Sequence, residues 1–386
     1  MTRFDTHLCL VSAQATPNLL PVLDDDWRPG KVVLAISPQM KSAAQALAQV
    51  IRGKGNGVAV ELMELPDAYD YVALQEAFLA WLVAHKDEST ALNVTGGTKL
   101  MAVAAQEAFR SDDRPVLYVS VESDEVIVIG EGARSRPLRA RLKVRDLLES
   151  HGFAIEQQQQ PAVSRDVRDL CARVIDRVAS SGRALGQLNR LAEQANRAPG
   201  LSVRMSDTLF DSRSLADMVA LFEDAGQLRT DGPTLRFPNE TARSFVNGGW
   251  LEQHVFNAVQ DLRGQDDRIT DVVMNVKVIH PDGRTRNEAD VAFLFRNTLH
   301  LIECKTANLA NEGTGGDDKA TEAIYKMEAL LKLGGLRTRG MIVDYRGALS
   351  AHQPNLDRAR AAGIEVISGA GLRDLKGRIT RSWLHG

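Results

Sequence analysis

The sequence predicts an α/β protein in which two α/β domains are joined by a helical connector. Near the amino terminus, apolar runs alternate with helical stretches, which indicates a mainly parallel sheet covered by helices. Residues 165–225 show mainly amphipathic helical periodicity. Two short apolar runs at 291–295 and 299–302 flank a tight turn, Arg296 to Thr298, and a further helix follows them. Those two runs predict a second sheet.

Composition limits the classes of protein to which the chain can belong. Its 386 residues suffice for roughly two or three domains, and a hydrophobic fraction of 44% supports buried cores. The net charge of −3 restricts any nucleic-acid site to a local basic patch. Cys9, Cys171 and Cys304 match no disulfide or zinc spacing. With no signal-peptide pattern and no membrane-spanning run, we expect a cytoplasmic protein without a membrane partner.

The amino-terminal domain is predicted over residues 1–145, where strands alternate with helices and a closing pair of strands follows. The predicted strands are 8–12, 32–37, 57–65, 92–94, 116–121 and 126–129, and the predicted helices are 41–51, 71–85 and 100–110. Ligands of such sheets bind beyond the carboxyl ends of the strands. The loops 14–18, 37–40 and 93–101 are therefore the candidate ligand loops.

The loop NVTGGTKLM at 93–101 is the most informative of the three. Its candidate binding residues are Thr95, Gly96, Gly97, Thr98 and Lys99. The two glycines allow a ligand to approach the backbone closely, while the other residues supply hydroxyl groups and a cation. The following helix presents free amides that favour an anion. The alternative is an ordinary strand-to-helix turn capped by Thr98. The G-x(4)-G-K-[ST] pattern is absent, so we predict no hydrolysis of nucleoside triphosphates.

Residues 146–238 are predicted to form a helical connector. Its helices are predicted at 165–179, 183–195 and 214–225. With a hairpin around Asp231 and Gly232, this order resembles a winged helix, but we favour a helical connector that packs on the last domain. The glutamine run at 157–160 is predicted to be connecting chain. The arginine-rich stretch 134–145 is predicted to be a solvated face rather than a track for phosphates.

The last domain, 239–386, carries the clearest chemical signal. Side chains alternate between faces along a strand, so Glu303 and Lys305 point to one face and Cys304 to the other. Hairpin pairing brings Asp290 near Glu303. Two carboxylates and an ammonium group then form a site for a hard divalent cation and a water molecule, which Lys305 would orient. The alternative is a solvated edge strand with a surface Glu–Lys pair.

Two further carboxylates extend this candidate site. Glu252 lies near the start of an amphipathic helix, where it would join the other carboxylates or complement the helix dipole. Glu288 lies on the same strand face as Asp290 and is a weaker candidate. The candidate metal-binding residues are Asp290, Glu303 and Cys304.

Several motifs resemble those of known families. The spacing D-x(12)-E-x-K of Asp290, Glu303 and Lys305 resembles the PD-(D/E)xK nuclease superfamily. NVTGGTKLM and VSAQATPNLLPVL resemble the ligand loops of the CARF domain, the Rossmann-like sensor associated with CRISPR. GGWLE, NEAD and ECKT resemble the nuclease module fused to CARF domains in ancillary nucleases of type III CRISPR systems. The resemblance covers both ends of the chain and is weaker over 164–237.

This resemblance implies a Rossmann-like CARF domain and a restriction-endonuclease-like PD-(D/E)xK domain, joined by a helical connector. It implies a homodimer that is activated by a cyclic oligoadenylate, with cyclic tetra-adenylate as the leading candidate. A twofold ring suits a twofold dimer, which presents Lys99 twice. The loop residues Thr95 to Lys99 would line the activator site, with Gln14, Asn18 and Ser37 as looser candidates. No adenine-stacking aromatic residue is evident in the three loops.

On the nuclease side, Asp290, Glu303 and Lys305 would be the catalytic residues, joined by Glu252, with Mn²⁺ or Mg²⁺ as the cofactor. Single-stranded RNA and DNA would be the substrates, and duplex DNA could be nicked. In this superfamily a helix such as 319–333 flanks the active site, which would place Lys326 near a phosphate. The acidic, glycine-rich loop 309–318 is expected to close over the substrate. Two other functions stay open: a ligand-controlled DNA-binding regulator without cleavage, and a ring nuclease that degrades its own activator.

Overall fold

The computed structural model describes residues 4–130, 134–162, 164–197, 199–306 and 319–384. Within these ranges the chain forms three sheets: seven strands near the amino terminus, three in the middle and six near the carboxyl terminus. None of the helices in these ranges has the length and apolar character that a membrane span requires. The predicted α/β class with two principal sheets is confirmed.

The first sheet has the strand order β3-β2-β1-β4-β5-β6-β7. Its elements are β1 (Thr6–Leu10), α1 (Thr16–Leu23), β2 (Lys31–Ile36), α2 (Lys41–Lys54), β3 (Ala59–Glu64), α3 (Tyr71–Ala84), β4 (Thr90–Asn93), α4 (Lys99–Ser111), β5 (Val116–Ser120), β6 (Glu125–Ile129) and β7 (Arg134–Pro137). Strands β1 to β5 are parallel, and β6 and β7 are antiparallel to their neighbours. The carboxyl ends of β1 and β4 therefore lie side by side, where the candidate ligand loops begin.

Two parts of this sheet bear on the sequence predictions. Helix α1 begins at Thr16, so Asn18 lies in a helix rather than in a loop. The reason is that Pro17 occupies the first turn, where a missing backbone N–H costs nothing. The arginine-rich stretch begins with an edge strand, β7, whose side chains are exposed, as expected of a solvated face.

The connecting region contains one strand of the last sheet and a small sheet of its own. Its elements are α5 (Val144–Ser150), β8 (Ala154–Gln159), α6 (Arg165–Asp176), α7 (Gly182–Asn196), β9 (Ser202–Arg204), α8 (Asp207–Phe210), α9 (Arg213–Asp224), β10 (Arg229–Asp231) and β11 (Thr234–Arg236). The prediction that 157–160 is connecting chain was wrong over most of its length, because β8 pairs antiparallel with the last sheet. The three-stranded sheet and its helices follow the element order of the winged-helix alternative. They also pack on the last domain, as the connector prediction requires.

The last sheet has the strand order β16-β15-β14-β13-β12-β8. Its elements are α10 (Glu240–Ser244), α11 (Trp250–Arg263), β12 (Ile269–Ile279), β13 (Arg286–Phe295), β14 (Thr298–Lys305), α12 (Lys319–Leu331), β15 (Arg339–Asp344), α13 (Gln353–Ala361), β16 (Ile364–Ser368) and α14 (Leu375–Ile379). A π-helical turn, Phe245–Gly249, joins α10 to α11. The strongly apolar β13 and β14 form the centre of the sheet, with β12 and β15 beside them.

The two faces of the last sheet belong to different cores. Leu299 and Leu301 of β14 pack with α12 in a core that also contains Leu34 and Leu142 from the amino-terminal part. His300 and Ile302 alternate with them, and Ile302 packs in a second core with α11 and the connector. The amino-terminal and carboxy-terminal parts thus share one continuous hydrophobic core on the α12 face.

The β13–β14 hairpin turns through two residues rather than the predicted three. Arg296 and Asn297 have φ angles of 47° and 57°, and Thr298 already belongs to β14. Two consecutive left-handed residues suit the right-handed twist of a hairpin, and Asn tolerates this conformation. The buried Asn297 side chain accepts a hydrogen bond from the Leu142 N–H at 2.9 Å and donates one to the Ala140 carbonyl at 3.1 Å. The turn is therefore anchored to the chain that leaves the first domain.

Candidate active site and sensor loops

The hairpin brings Asp290 and Glu303 close together. Val291 pairs with Ile302 in antiparallel register, and Asp290 and Glu303 adjoin this pair, near enough for the charge of Glu303 to act on Asp290. The Asp290 Oδ2 accepts a hydrogen bond from the Cys304 N–H at 2.7 Å. The structure therefore brings together the two carboxylates that the sequence analysis paired.

Glu303 is the most enclosed carboxylate of the site. The residue has no exposed surface, and its Oε1 lies 2.5 Å from the Nζ atoms of both Lys305 and Lys326. Its Oε2 is buried and has no hydrogen-bond partner among the described residues. A buried carboxylate oxygen without a donor is costly, which identifies Oε2 as an atom that lacks a cation or a proton.

The charges around Asp290 favour the same conclusion. Burial raises the pKa of Asp290 well above its usual value, and the neighbouring carboxylates of Glu303 and Glu252 raise it further. Lys326 and the Cys304 N–H oppose this effect without cancelling it. An acid held in such an environment gains from a bound proton or a metal cation. The Asp290 carboxyl group is therefore held where its negative charge is unfavourable, mainly because it is buried.

Glu252 approaches from the opposite side of the sheet, in the first turn of α11. Burial raises its pKa, and the charges of Glu288 and Glu303 add to the rise. Lys305 and Lys326 lower it. The structure therefore places Glu252 within electrostatic reach of the carboxylate pair, whereas Glu288 is exposed and forms an ion pair with Lys277 at 3.8 Å.

The neighbouring carboxylates keep the Lys305 ammonium group charged. Burial alone would lower its pKa, but the charge of Glu303, the hydrogen bond to it and the charge of Asp290 outweigh burial, so the pKa is raised. The ammonium group therefore stays charged at neutral pH. It can offer a proton or positive charge to a negative group that enters the site.

Cys304 does not share the face of the carboxylates. Its side chain packs at the edge of the core on the α11 side, and burial raises the pKa of its thiol well above the usual value. Its backbone N–H is the part that reaches the site, through Asp290. In the described part of the chain, no three His, Cys, Asp or Glu side chains are grouped as a metal cluster would require. Asp290 and Glu303 supply anionic oxygens that a cation could use.

The GGW motif explains how α11 is positioned. Gly248 has a φ of 134°, and a Cβ there would lie 2.9 Å from the Thr306 hydroxyl oxygen. Thr306 directly follows Lys305, and its hydroxyl group lies 3.0 Å from the Asn189 amide of α7. The connector, the π-helical turn and the end of β14 thus meet beside the carboxylates. Asn189 could not be predicted from the sequence, because its contact with Thr306 spans 117 residues.

The sensor loop at 93–101 is shaped mainly by internal hydrogen bonds. The Thr95 hydroxyl donates to the Asn93 side chain at 2.7 Å and accepts from the Val119 N–H at 2.7 Å. The Thr98 hydroxyl accepts from the Met101 N–H at 3.2 Å and so caps α4, as the turn interpretation predicted. Lys99 is exposed at the first position of α4. Of these side chains, Lys99 is the one left open to an anion.

The two glycines of this loop have a packing role. A Cβ at Gly96 would overlap the Leu10 carbonyl oxygen, so glycine is required where the loop crosses the end of β1. Gly97 has a φ of 73°, which disfavours other residues. Because Gly96 and Gly97 have no side chains, the loop after β4 can pack closely against the end of β1.

The three looser candidates lie at the same edge of the sheet. Asn18 is buried, and its amide group donates to the Leu10 carbonyl at 2.8 Å and accepts from Asn93 at 3.0 Å. It therefore joins the two loops internally. Ser37 is buried before the short 3-10 turn Pro38–Met40. Gln14 lies against Gly335 of the carboxy-terminal part, where a Cβ would overlap its amide group.

Comparisons with known proteins match the two domains in which these candidate sites lie. A model of the Card1 CARF domain matches residues 6–147, and a model of the Card1-like endonuclease domain matches residues 239–385. The fold and the two sites therefore define an endonuclease linked to a CARF domain. The chain belongs to the Card1-like family, and the resemblance seen in its motifs is confirmed. No curated protein sequence matched the chain.

Solved structures extend the likeness over the whole chain. Protein VC1899 from Vibrio cholerae is 27% identical with a TM-score of 0.87, and the match covers 97% of each chain. Can2 from Sulfobacillus thermosulfidooxidans, in complex with cyclic tetra-adenylate, is 25% identical with a TM-score of 0.79, over 99% of this chain and 100% of that one. A type III CRISPR defence DNA nuclease activated by cyclic oligoadenylate is 19% identical with a TM-score of 0.56, over 89% of this chain and 45% of that one. At that identity the last likeness concerns the fold alone.

Proposed function

We propose that the protein is a nuclease that requires Mn²⁺ or Mg²⁺, is activated by cyclic tetra-adenylate and acts in type III CRISPR antiviral defence. Its substrates are phosphodiesters of single-stranded RNA or DNA, or of duplex DNA. The observation that carries this proposal is the neighbouring carboxylate pair of Asp290 and Glu303, in which the buried Glu303 Oε2 lacks a partner among the described residues.

The donor atoms fit a hard divalent cation. Mg²⁺ typically binds proteins through one or two carboxylates and keeps water and phosphate oxygens as its other ligands. The Asp290 and Glu303 carboxylates supply such oxygens, and the raised pKa of Asp290 indicates that a cation is favoured there. When bound, the ion would lower the pKa of a water molecule and offset charge on the phosphate.

The chain's own residues perform the remaining tasks. Asp290 and Glu303 would hold the cation at one end of the hairpin. Lys305, kept charged by these carboxylates, stabilises the negative charge that develops on the phosphate or orients the attacking water. Lys326 reaches the same Glu303 oxygen from α12 and can turn to a substrate phosphate. Glu252 adds negative charge beside the pair. The predicted closing loop, 309–318, lies outside the described residues.

Binding of a cyclic oligoadenylate is supported by the CARF domain and by the likeness to Can2, whose structure contains cyclic tetra-adenylate. Gly96 and Gly97 allow a close approach to the backbone, and Lys99 supplies a cation at the start of α4. Thr95 and Thr98 act by shaping the loop, because their hydroxyl groups are engaged internally.

A homodimer is supported by an apolar surface on α3 and α4. Helix α3 is apolar on most of its surface, and its Val72 and Val83 are 61% and 74% exposed. Leu100 and Val103 of α4 lie exposed as well. Such a patch on a sensor domain marks an interface. A twofold dimer would present its ligand loops twice to one ring.

The test is cleavage of a labelled single strand in Mn²⁺, with and without cyclic tetra-adenylate. We expect cleavage that depends on both the metal and the ring. Glu303→Gln should reduce cleavage at least about a hundredfold, because metal assistance is worth several kcal/mol. Glu365→Gln, which alters an exposed carboxylate on β16, serves as the matched control and should keep activity.

Three outcomes would replace the proposal. Full activity in Glu303→Gln would remove the site assignment. Salt-dependent DNA binding without cleavage under any condition would favour the regulator. Conversion of the ring to linear products, without cleavage of longer strands, would favour the ring nuclease.

A further inference from the structure

A cavity of about 130 Å³ lies between the sensor loops and the catalytic hairpin. Gln14, Thr95 and Tyr118 line it on the sensor side. Thr298 and Arg337 line it on the nuclease side. The cavity is thus shared by both domains, at the edge of the sheet where the candidate ligand loops end.

The walls of this cavity carry groups that suit a nucleotide. Tyr118 lines the cavity and is 40% exposed, so it is an aromatic residue at this site, where none was evident in the three ligand loops. The Gln14 Nε2 is buried and has no hydrogen-bond partner among the described residues, so it is a free donor. Arg337 provides a guanidinium group, which matches the geometry of phosphate. Aromatic face, amide donor and guanidinium are the groups that bind a base and its phosphate.

Arg337 can exchange its present ion-pair partner for a phosphate at a small cost in free energy. It forms an ion pair with Glu122 at 3.5 Å, and the two side chains are 42% and 77% exposed. An exposed pair of this kind is weak, so a phosphate can take the place of Glu122. The pair also joins the sensor part to the nuclease part, so exchanging its partner changes a contact between them.

We propose that this cavity binds one nucleotide of the activating ring, with its base against Tyr118 and its phosphate on Arg337. The inference rests on the proposed function and deepens it, because it assigns to the nuclease part a residue of the activator site. The volume suffices for a base but not for a whole ring, so the rest of the ring lies over Lys99 and the glycine loop.

This placement connects the activator to the catalytic strand. Thr298, in the cavity wall, and Glu303 belong to the same strand, β14, and lie five residues or about 17 Å apart. Gln14 also lies against Gly335, two residues before Arg337, so a nucleotide that engages Gln14 acts on the segment that carries Arg337. Ring binding therefore acts on β14 and on the loop that carries Arg337, and both lead from the cavity into the nuclease sheet. The ring then favours the arrangement of these two segments to which it binds best.

The experiment measures binding of labelled cyclic tetra-adenylate, and cleavage at saturating ring, for the full-length protein. Arg337→Ala should weaken ring binding by about tenfold or more, since a charge-assisted hydrogen bond is lost. Glu122→Gln should strengthen binding by up to about fivefold, because Arg337 loses a competing partner. Tyr118→Leu should weaken it about fivefold or more, and Tyr118→Phe should restore it. Arg360→Ala, which alters an exposed arginine paired with Asp357, is the control and should leave binding unchanged.

Arg337→Ala and Glu122→Gln are expected to change the affinity for the ring in opposite directions. This difference distinguishes a residue that contacts the ligand from one that only supports the structure. If Arg337 only ties the two parts together, Arg337→Ala and Glu122→Gln will shift binding in the same direction, and the inference is wrong. It is also wrong if Arg337→Ala and Tyr118→Leu bind the ring as the wild type does, while the ring still activates cleavage. Failure of the wild type to bind any cyclic oligoadenylate would instead overturn the proposed function itself. Thermal melting of each variant verifies that it is folded.

Discussion

The Lys326 ammonium group lies 2.5 Å from the Glu303 Oε1, so a helix on one face of the sheet supplies a cation to the carboxylate of β14. Lys305 approaches the same oxygen at 2.5 Å. Two lysines on one oxygen leave the other, Oε2, without a partner among the described residues. The lysines thus stabilise the carboxylate and leave Oε2 and Asp290 for the proposed metal ion.

Replacing Lys326 should therefore change the dependence of stability on metal. We expect Lys326→Met to lower the free energy of unfolding in EDTA by about 1.5–3 kcal/mol, the worth of a hydrogen bond to a charged group. Mn²⁺ should restore more stability in the variant than in the wild type, because Glu303 is then short of positive charge. Thermal melting with and without Mn²⁺ measures both effects. Lys319→Met, which alters an exposed residue of the same helix, should show neither. Equal metal-induced shifts in variant and wild type would show that Lys326 and the cation do not share Glu303.

Gly248 should be intolerant of any side chain. Its φ of 134° and the 2.9 Å approach of a Cβ to the Thr306 hydroxyl oxygen both oppose alanine. We expect Gly248→Ala to cost about 1–3 kcal/mol of stability. It should also lower cleavage, because Gly248 sets the start of the helix that carries Glu252. Gly264 ends the same helix at a φ of −66°, so Gly264→Ala is the control that should retain both properties. Equal losses in the two variants would refute the strain argument.

The β13–β14 hairpin could be predicted because its structure is determined by nearby residues. Apolar runs set the two strands, and the alternation of side chains assigns Glu303 and Cys304 to opposite faces of the sheet. The loop at 93–101 likewise predicted, from a short stretch of sequence, where β4 ends and that Thr98 caps α4. What these stretches have in common is that neighbouring residues determine the structure.

The missed features depend on residues far apart in the chain. The glutamine run has no apolar pattern of its own, and its strand forms only because β12 offers an open edge. The Asn189 contact with Thr306, the Gln14 contact with Gly335 and the shared cavity all require the domains to be packed. Helix α1 was missed for a different reason, because Pro17 and Pro21 resemble loop residues. The first turn of a helix accepts Pro17, whereas Pro21 lies inside the helix, where proline is unusual.

Stability should fall in mild acid, and His300 should account for part of the fall. Burial lowers the pKa of His300 to about 4, from a usual value near 6.5. Between these two values the unfolded chain binds a proton that the folded chain does not, so stability is complete above about pH 6.5 and declines as the pH falls towards 4. This residue contributes about 3 kcal/mol to the decline, at about 1.4 kcal/mol for each tenfold change in proton affinity.

Replacement of this ring tests the assignment. His300 stacks on Phe293 with a centroid distance of 4.9 Å, so His300→Phe keeps an aromatic ring in the core. We expect the variant to lose less stability than the wild type between pH 6.5 and 4, as followed by urea unfolding at several pH values. His352→Phe, at an exposed position, should keep the acid decline of the wild type. An unchanged decline in His300→Phe would mean that this ring titrates alike in the folded and unfolded chains.

The Asn297 side chain should be required for communication between sensor and nuclease. It hydrogen-bonds to the backbone of Leu142 at 2.9 Å and of Ala140 at 3.1 Å, and it lines the shared cavity. Asn297→Gly keeps the left-handed conformation that φ of 57° requires and removes only the side chain, whereas Asn297→Ala adds backbone strain. We expect Asn297→Gly to cost about 1–3 kcal/mol for the two unpaired backbone groups. It should raise the concentration of cyclic tetra-adenylate needed for half-maximal cleavage, while cleavage at saturating ring and metal stays close to that of the wild type. A loss confined to Asn297→Ala would show that the turn conformation matters and that the anchor does not, since only the alanine variant strains the hairpin.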